Sequence, residues 1–391
     1  MREVLFGQSA VINFLLFIML AGGVWFVGSR LTYLADAISE RYRLAASTVG
    51  LLFLALATSL PEVATTLSAA IQQNSDLVLN NLFGGIALQT AILALADFWA
   101  KGAISNYPRK ANHALEATLL VALISCLQIV FIIGEPVSIW GVGLGSMIVA
   151  ASYAGSIRLL RWYDTGTDWV PVDLPDSSPE DIRSNTKIMM SDFSSIQLVM
   201  ASLFACLMIM LLGVLIVDVS IVLSQQTGLG SGFFGVTFLA AATSLPELST
   251  TITAVRMGAY TLAISNVFGS NLIMVVLIFP ADIFHSSGPI LGSAGSSTQL
   301  AIASGALVTT IYLIGLIVRR KPKIGPIGID SFLVLVVYAM SLILSYGLRE
   351  QVSQNQKIEW IRIQTLKCLK HCWKQPLTRL SPLTAMVSLN Q

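Results

Sequence analysis

Charge is what this chain has least of. Only 11% of its 391 residues are Asp, Glu, Lys or Arg, against about 25% in a soluble domain. Residues 160–194 hold 10 of the 44 charges and residues 349–391 hold 9, which leaves 25 for the other 313 positions. No water-soluble surface of that size can be built from so few. The net charge of +2 supplies no electrostatic footprint for nucleic acid. Four cysteines are too few for a disulfide framework: Cys126 and Cys206 sit inside apolar runs, and Cys368 and Cys372 lack the second ligand pair of a zinc site. No glycine-rich phosphate loop or nucleophile motif stands in a credible context, and no enzyme activity is expected.

What the chain has instead is 55% apolar residues and a mean hydropathy of +0.76, gathered into runs of bilayer length. The runs predict ten transmembrane helices near 10–29, 46–72, 77–99, 112–133, 137–159, 196–223, 229–256, 260–281, 298–318 and 329–347. The first run is long and lacks a small-residue cleavage site, so it reads as a retained span. The loops after odd-numbered spans carry fifteen Lys and Arg and those after even-numbered spans none. That asymmetry places the odd loops in the cytoplasm and both termini outside the cell membrane. The expected partners are lipid and small inorganic cations, with no obligate protein partner.

Residues 53–66 read FLALATSLPEVATT and residues 238–251 read FLAAATSLPELSTT. The offset of 185 continues without a gap through Asn81/Asn266, Phe83/Phe268, Gly84/Gly269 and Asp97/Asp282, with 18 of 45 positions identical. This is an internal duplication. The copies begin on spans 2 and 7, five spans apart, so the second copy is inverted in the membrane. Inverted halves meeting near the midplane are the architecture of secondary transporters. The fold expected is all-α, two inverted five-helix repeats over 1–159 and 196–347. A polar cytoplasmic linker over 160–195 joins them, and a basic tail of amphipathic spacing follows over 348–391.

Each copy places Ala-Thr-Ser-Leu-Pro-Glu inside an apolar helix. Pro61 and Pro246 lack an N–H, which frees the carbonyls of Ala57 and Ala242 and must kink or unwind the helix. Freed carbonyls at membrane depth are tolerated only where they line a cavity or ligate something. Thr58, Ser59, Thr243 and Ser244 add hydroxyls at the breaks, and Glu62 and Glu247 add carboxylates. Each carboxylate mid-span costs roughly 2.5–3.5 kcal/mol, and no Lys or Arg lies mid-span to neutralise it. Hard oxygens of these kinds suit Ca²⁺ and Na⁺. Asn81, Asn266, Ser270 and Asn271 at the starts of spans 3 and 8 can add oxygens or join helices by hydrogen bonds. Glu116 and Asp218 read as interfacial, and Asp97 and Asp282 as capping or turn residues at helix ends.

These motifs resemble the calcium/cation antiporter superfamily, above all its sodium/calcium exchanger branch, in which G-T-S-L-P-E is followed by G-N-x-x-G-S-N. The resemblance implies ten helices in two inverted halves and an ion site of Thr58, Ser59, Glu62, Thr243, Ser244, Glu247 and Ser270. The departures are Gly85 in place of serine, Gln89 at the final polar position, and Met274 where the family offers Asn or Asp. A thioether is a poor ligand for a hard cation. The implied function is antiport of Ca²⁺ against Na⁺ or H⁺ by alternating access, with no cofactor besides the transported ions. The alternatives are a cation/proton exchanger without Na⁺ coupling and a non-transporting membrane protein of the same fold.

Overall fold

The computed structural model describes residues 9–108, 111–135, 137–166, 193–227, 239–293, 295–318 and 323–347. The tail over 348–391 and the linker residues 167–192 lie outside the described residues. Ten helices or broken helix pairs lie among the described residues. Helix α1 is Ala10–Arg41, capped by the Ser9 hydroxyl on the Ile12 N–H. Helix α2 is a broken pair, α2a Ala46–Thr58 and α2b Leu60–Ile71, bent by 48°. Next come α3 Ser75–Ala96 and α4 Asn112–Ile133. The two-stranded hairpin β1 Ser138–Ile139 and β2 Val142–Gly143 leads into α5 Leu144–Gly166.

The second half repeats that order. Helix α6 is Ser195–Thr227, and α7 is again broken, α7a Ala240–Thr243 and α7b Leu245–Arg256. Helix α8 is Tyr260–Val276 extended by Ile278–Phe284, and α9 is Ser296–Val318. The hairpin β3 Lys323–Ile324 and β4 Ile327–Gly328 precedes α10 Ile329–Gly347. Seven of these helices are singly long and apolar enough to cross a membrane, and bent α2 makes an eighth. Helix α5, which carries Arg158 and Arg161, and α7, described only from Leu239, complete the ten.

Burial sorts the helices into an inner and an outer set. The apolar stretches of α3 and α8 are 89% buried, whereas that of α1 is 17%. Helix α1 packs along α6 and turns Phe14, Met19 and Phe26 outward, which is stable only against lipid. Close approach in the centre depends on small residues. A Cβ on Gly269 of α8 would lie 2.6 Å from the Leu51 carbonyl oxygen, and one on Gly50 of α2a would lie 2.8 Å from that of Leu262.

Two boundaries differ from the sequence reading. Helix α1 runs to Arg41 instead of ending near residue 29, because Thr32, Asp36 and Ser39 are buried against the protein and do not mark a solvated loop. Helix α5 runs to Gly166, past the expected linker start at 160.

The inversion is visible in which loops meet. The Asp97 carboxylate at the end of α3 accepts from the Gly328 N–H (3.1 Å) and the Ser331 hydroxyl (2.7 Å) beyond α9. Its mate Asp282, at the end of α8, accepts from the Gly143 N–H (2.7 Å) and the Ser146 hydroxyl (2.6 Å) beyond α4. Arg256 after α7 lies over the Trp99 ring after α3, and Gln73 after α2 accepts from Ser287 after α8. Odd loops therefore meet odd loops and even loops meet even loops. Each Asp also accepts from its own half, Asp97 from Ile104 N–H (2.8 Å) and Asp282 from Ile290 N–H (2.7 Å). The capping reading thus missed the larger part of their role, which is to tie each half to the hairpin of the other.

Candidate functional site

The break in α2 falls at Ser59 (φ −80°, ψ 2°) and that in α7 at Ser244 (φ −85°, ψ 9°), with Pro61 and Pro246 in the first turn of the helix that follows. A proline there has no donor to lose, so the chain restarts as a helix after the break. In the turn before each break a threonine hydroxyl bonds back, Thr58 to the Ala55 carbonyl and Thr243 to that of Ala240, both at 3.2 Å. The two breaks carry the same local geometry, as an inverted duplication requires.

Glu62 and Glu247 open α2b and α7b, where a carboxylate meets the positive end of the helix dipole. Both are fully buried, and each carboxylate feels the charge of the other. The Glu247 Oε1 accepts from the Ser270 hydroxyl at 3.2 Å and from the Ser59 hydroxyl at 3.5 Å. Thr58 and Ser270 hydroxyls lie 3.4 Å apart. Thr243 is the hydroxyl beside Glu62. Each carboxylate thus meets a hydroxyl of the other repeat, Ser59 at Glu247 and Thr243 at Glu62, and Ser270 of its own repeat adds to Glu247.

Both oxygens of Glu62, Oε2 of Glu247 and the Ser244 hydroxyl make no hydrogen bond within the chain. Among the described residues neither glutamate has a Lys, Arg or His within ion-pair distance. A buried polar atom left unpaired costs about 1–3 kcal/mol, and more when charged. Four such atoms from two symmetric breaks form a chamber whose charge calls for a cation or protons.

All seven residues of the expected ion site, Thr58, Ser59, Glu62, Thr243, Ser244, Glu247 and Ser270, are at most 1% exposed and lie at the two breaks or on the α8 face beside them. The amides divide. Asn266 donates to the Thr250 hydroxyl (3.1 Å) and Asn271 to that of Thr90 (3.3 Å), so both join helices, with Oδ1 unpaired. Asn81 and Gln89 are buried with neither side-chain polar atom paired. The hydroxyls of Thr66 and Thr251, 185 residues apart and one turn beyond the glutamates, are buried and unpaired as well. Their matching positions in the duplication were the signal that could have added them.

Glu116 is not an interfacial side chain. It is 1% exposed, and its Oε1 accepts from Ser265 (2.8 Å) while Oε2 lies 3.0 Å from His113 Nδ1. It joins α4 to α8.

A family model described as sodium/calcium exchanger protein matches residues 12–157 and 196–347. Inner membrane protein YrbG of Escherichia coli K12 is 24% identical over 307 residues, covering 77% of this chain and 87% of that protein. Sodium/calcium exchanger MaX1 of Methanosarcina acetivorans is 24% identical over 326 residues, covering 76% and 87%. A solved structure of the sodium-calcium exchanger NCX_Mj superposes with a TM-score of 0.60 at 18% identity, covering 85% of this chain and 98% of that one. At that identity the likeness concerns the fold.

Proposed function

The chain belongs to the sodium/calcium exchanger protein family, whose members are membrane cation antiporters, and from that membership we propose that it exchanges Ca²⁺ for Na⁺ at a site built on Glu62 and Glu247. The observation that carries the proposal is the pair of fully buried carboxylates, one from each broken helix, with three of their four oxygens unpaired. Two negative charges buried together are neutralised by one Ca²⁺ or by monovalent cations in its place. The same oxygens cannot hold both sets, so the ions compete. An empty, doubly charged chamber resists the closure that must precede opening to the other side, which couples the two fluxes. Thr58, Ser59, Thr243, Ser244 and Ser270 supply neutral oxygens, Asn81 and Gln89 lie in reserve, and Asn266 and Asn271 hold α8 in place. With the Lys and Arg of the odd loops in the cytoplasm, α2 and α7 enter the cell membrane from opposite sides.

Coupling to H⁺ is the second reading, favoured by the loss of oxygens at Gly85 and Met274. The two separate in proteoliposomes loaded with Na⁺. Radiolabelled Ca²⁺ uptake is expected to follow an outward Na⁺ gradient and to ignore a pH gradient imposed alone. Uptake driven by the pH gradient and indifferent to Na⁺ would replace the Na⁺ reading with the H⁺ one.

A further inference from the structure

The repeat symmetry fails where α3 and α8 pass the two carboxylates. Ser270 on α8 donates to Glu247 at 3.2 Å, but the matching position on α3, 185 residues earlier, is Gly85. Glu62, the mate of Glu247, has the Thr243 hydroxyl beside it but no donor within hydrogen-bond distance, and none from α3. The space that a serine would occupy at 85 is filled from the other half. A Cβ built on Gly85 would lie 2.7 Å from Met274 Cε and 3.0 Å from its Sδ. Met274 is fully buried and stands at the position matching Gln89. A hydroxyl and an amide are therefore absent together, and a thioether fills the hole their absence leaves.

We propose that Gly85 and Met274 form a plug that removes one monovalent-cation seat beside Glu62 and leaves a lopsided chamber that favours a single divalent ion. The proposal rests on the reading of the chamber as the cation site. A methylthio group excludes water and does not replace the hydration oxygens of Na⁺ or Ca²⁺. A divalent ion bridging the two carboxylates draws on Glu62 directly and on the hydroxyls of Thr58, Ser59 and Ser270 around Glu247. It therefore tolerates the missing oxygen at 85. By the repeat symmetry a second monovalent ion would use the position that Ser270 holds for Glu247, and at Gly85 the Met274 methyl group takes that space. The plug thus lowers the number of Na⁺ ions that compete with one Ca²⁺.

The test uses the purified full chain at fixed pH. Apparent Ca²⁺ affinity, read from Ca²⁺-dependent thermal stabilisation or calorimetry, is measured across a Na⁺ series. The slope of log Kd against log Na⁺ concentration counts the Na⁺ displaced. In G85S/M274A, which clears the thioether and copies Ser270, the slope is expected to rise by about one. Apparent Ca²⁺ affinity then falls an extra tenfold or so for each tenfold rise in Na⁺. M274A alone opens the space without adding an oxygen and keeps the wild-type slope. Should the double variant not accumulate, Met274→Gln, which copies the residue at the symmetric position, is expected to steepen the slope too. An unchanged slope in the oxygen-bearing variants overturns the plug. If E247Q abolishes Ca²⁺ binding while those slopes stay flat, the plug alone fails. Wild-type protein indifferent to Ca²⁺, or E247Q binding it normally, overturns the chamber and the plug together.

Discussion

Glu247→Gln is expected to abolish Na⁺-driven Ca²⁺ uptake, by at least about 100-fold, and Glu62→Gln to do the same. Removing one partner from a buried ionic site costs about 3–5 kcal/mol, and every 1.4 kcal/mol is tenfold in affinity. The stability signature should have the opposite sign. Without Ca²⁺ the wild-type chamber confines two carboxylates with three unpaired oxygens, and amides in their place carry no charge to repel. Each Gln variant should therefore melt higher than wild type in chelator and show no further rise with Ca²⁺. A merely structural glutamate would give the reverse, a lower melting temperature with the Ca²⁺ response kept. Scanning fluorimetry beside the flux assay separates the two.

Asp282→Ala and Asp97→Ala should be the most destabilising single changes outside the chamber. Asp282 receives the Gly143 N–H, the Ser146 hydroxyl and the Ile290 N–H; Asp97 receives the Gly328 N–H, the Ser331 hydroxyl and the Ile104 N–H. Alanine leaves three donors without an acceptor at Asp97 and two at Asp282, where the Ser146 hydroxyl keeps the Gly143 carbonyl at 2.9 Å; at about 1–3 kcal/mol each, a loss of about 2–3 kcal/mol or more is expected from either. The two clasps are further loaded by neighbouring acids. Asp330, which takes the Ser105 hydroxyl at 2.7 Å, faces Asp97. Glu135 faces Asp282, and burial pushes its carboxyl above the ordinary value. Thermal unfolding in detergent measures the effect. Asn keeps one acceptor oxygen and should fall between wild type and Ala. Melting temperatures unchanged in both Ala variants would mean that the halves are held by helix packing alone.

Much of this was legible in the sequence, for physical reasons. Bilayer-length runs and the one-sided Lys/Arg pattern gave the ten spans, and a gapless offset of 185 gave the inversion. Pro61 and Pro246 marked the breaks because a missing N–H acts locally, and Glu62 and Glu247 stood out because a mid-span charge is expensive wherever it points. What stayed hidden depended on distant partners. Glu116 looks interfacial until Ser265, 149 residues away, is seen to donate to it. The acceptor role of Asp97 and Asp282 relies on backbone N–H groups, which leave no mark on residue identity. The duplicated hairpins, 138–143 and 323–328, were the available hint. Gly85 and Met274 read as two separate losses, and only their contact makes them one feature.

The most direct test of the cation chamber is a crystal structure of the protein soaked in Ca²⁺ or Sr²⁺, with the anomalous signal mapped. The expected result is a peak bounded by the carboxylates of Glu62 and Glu247, with the hydroxyls of Thr58 and Thr243 beside it. A map with no peak between those two acids at saturating Ca²⁺, in protein that transports it, would contradict the account.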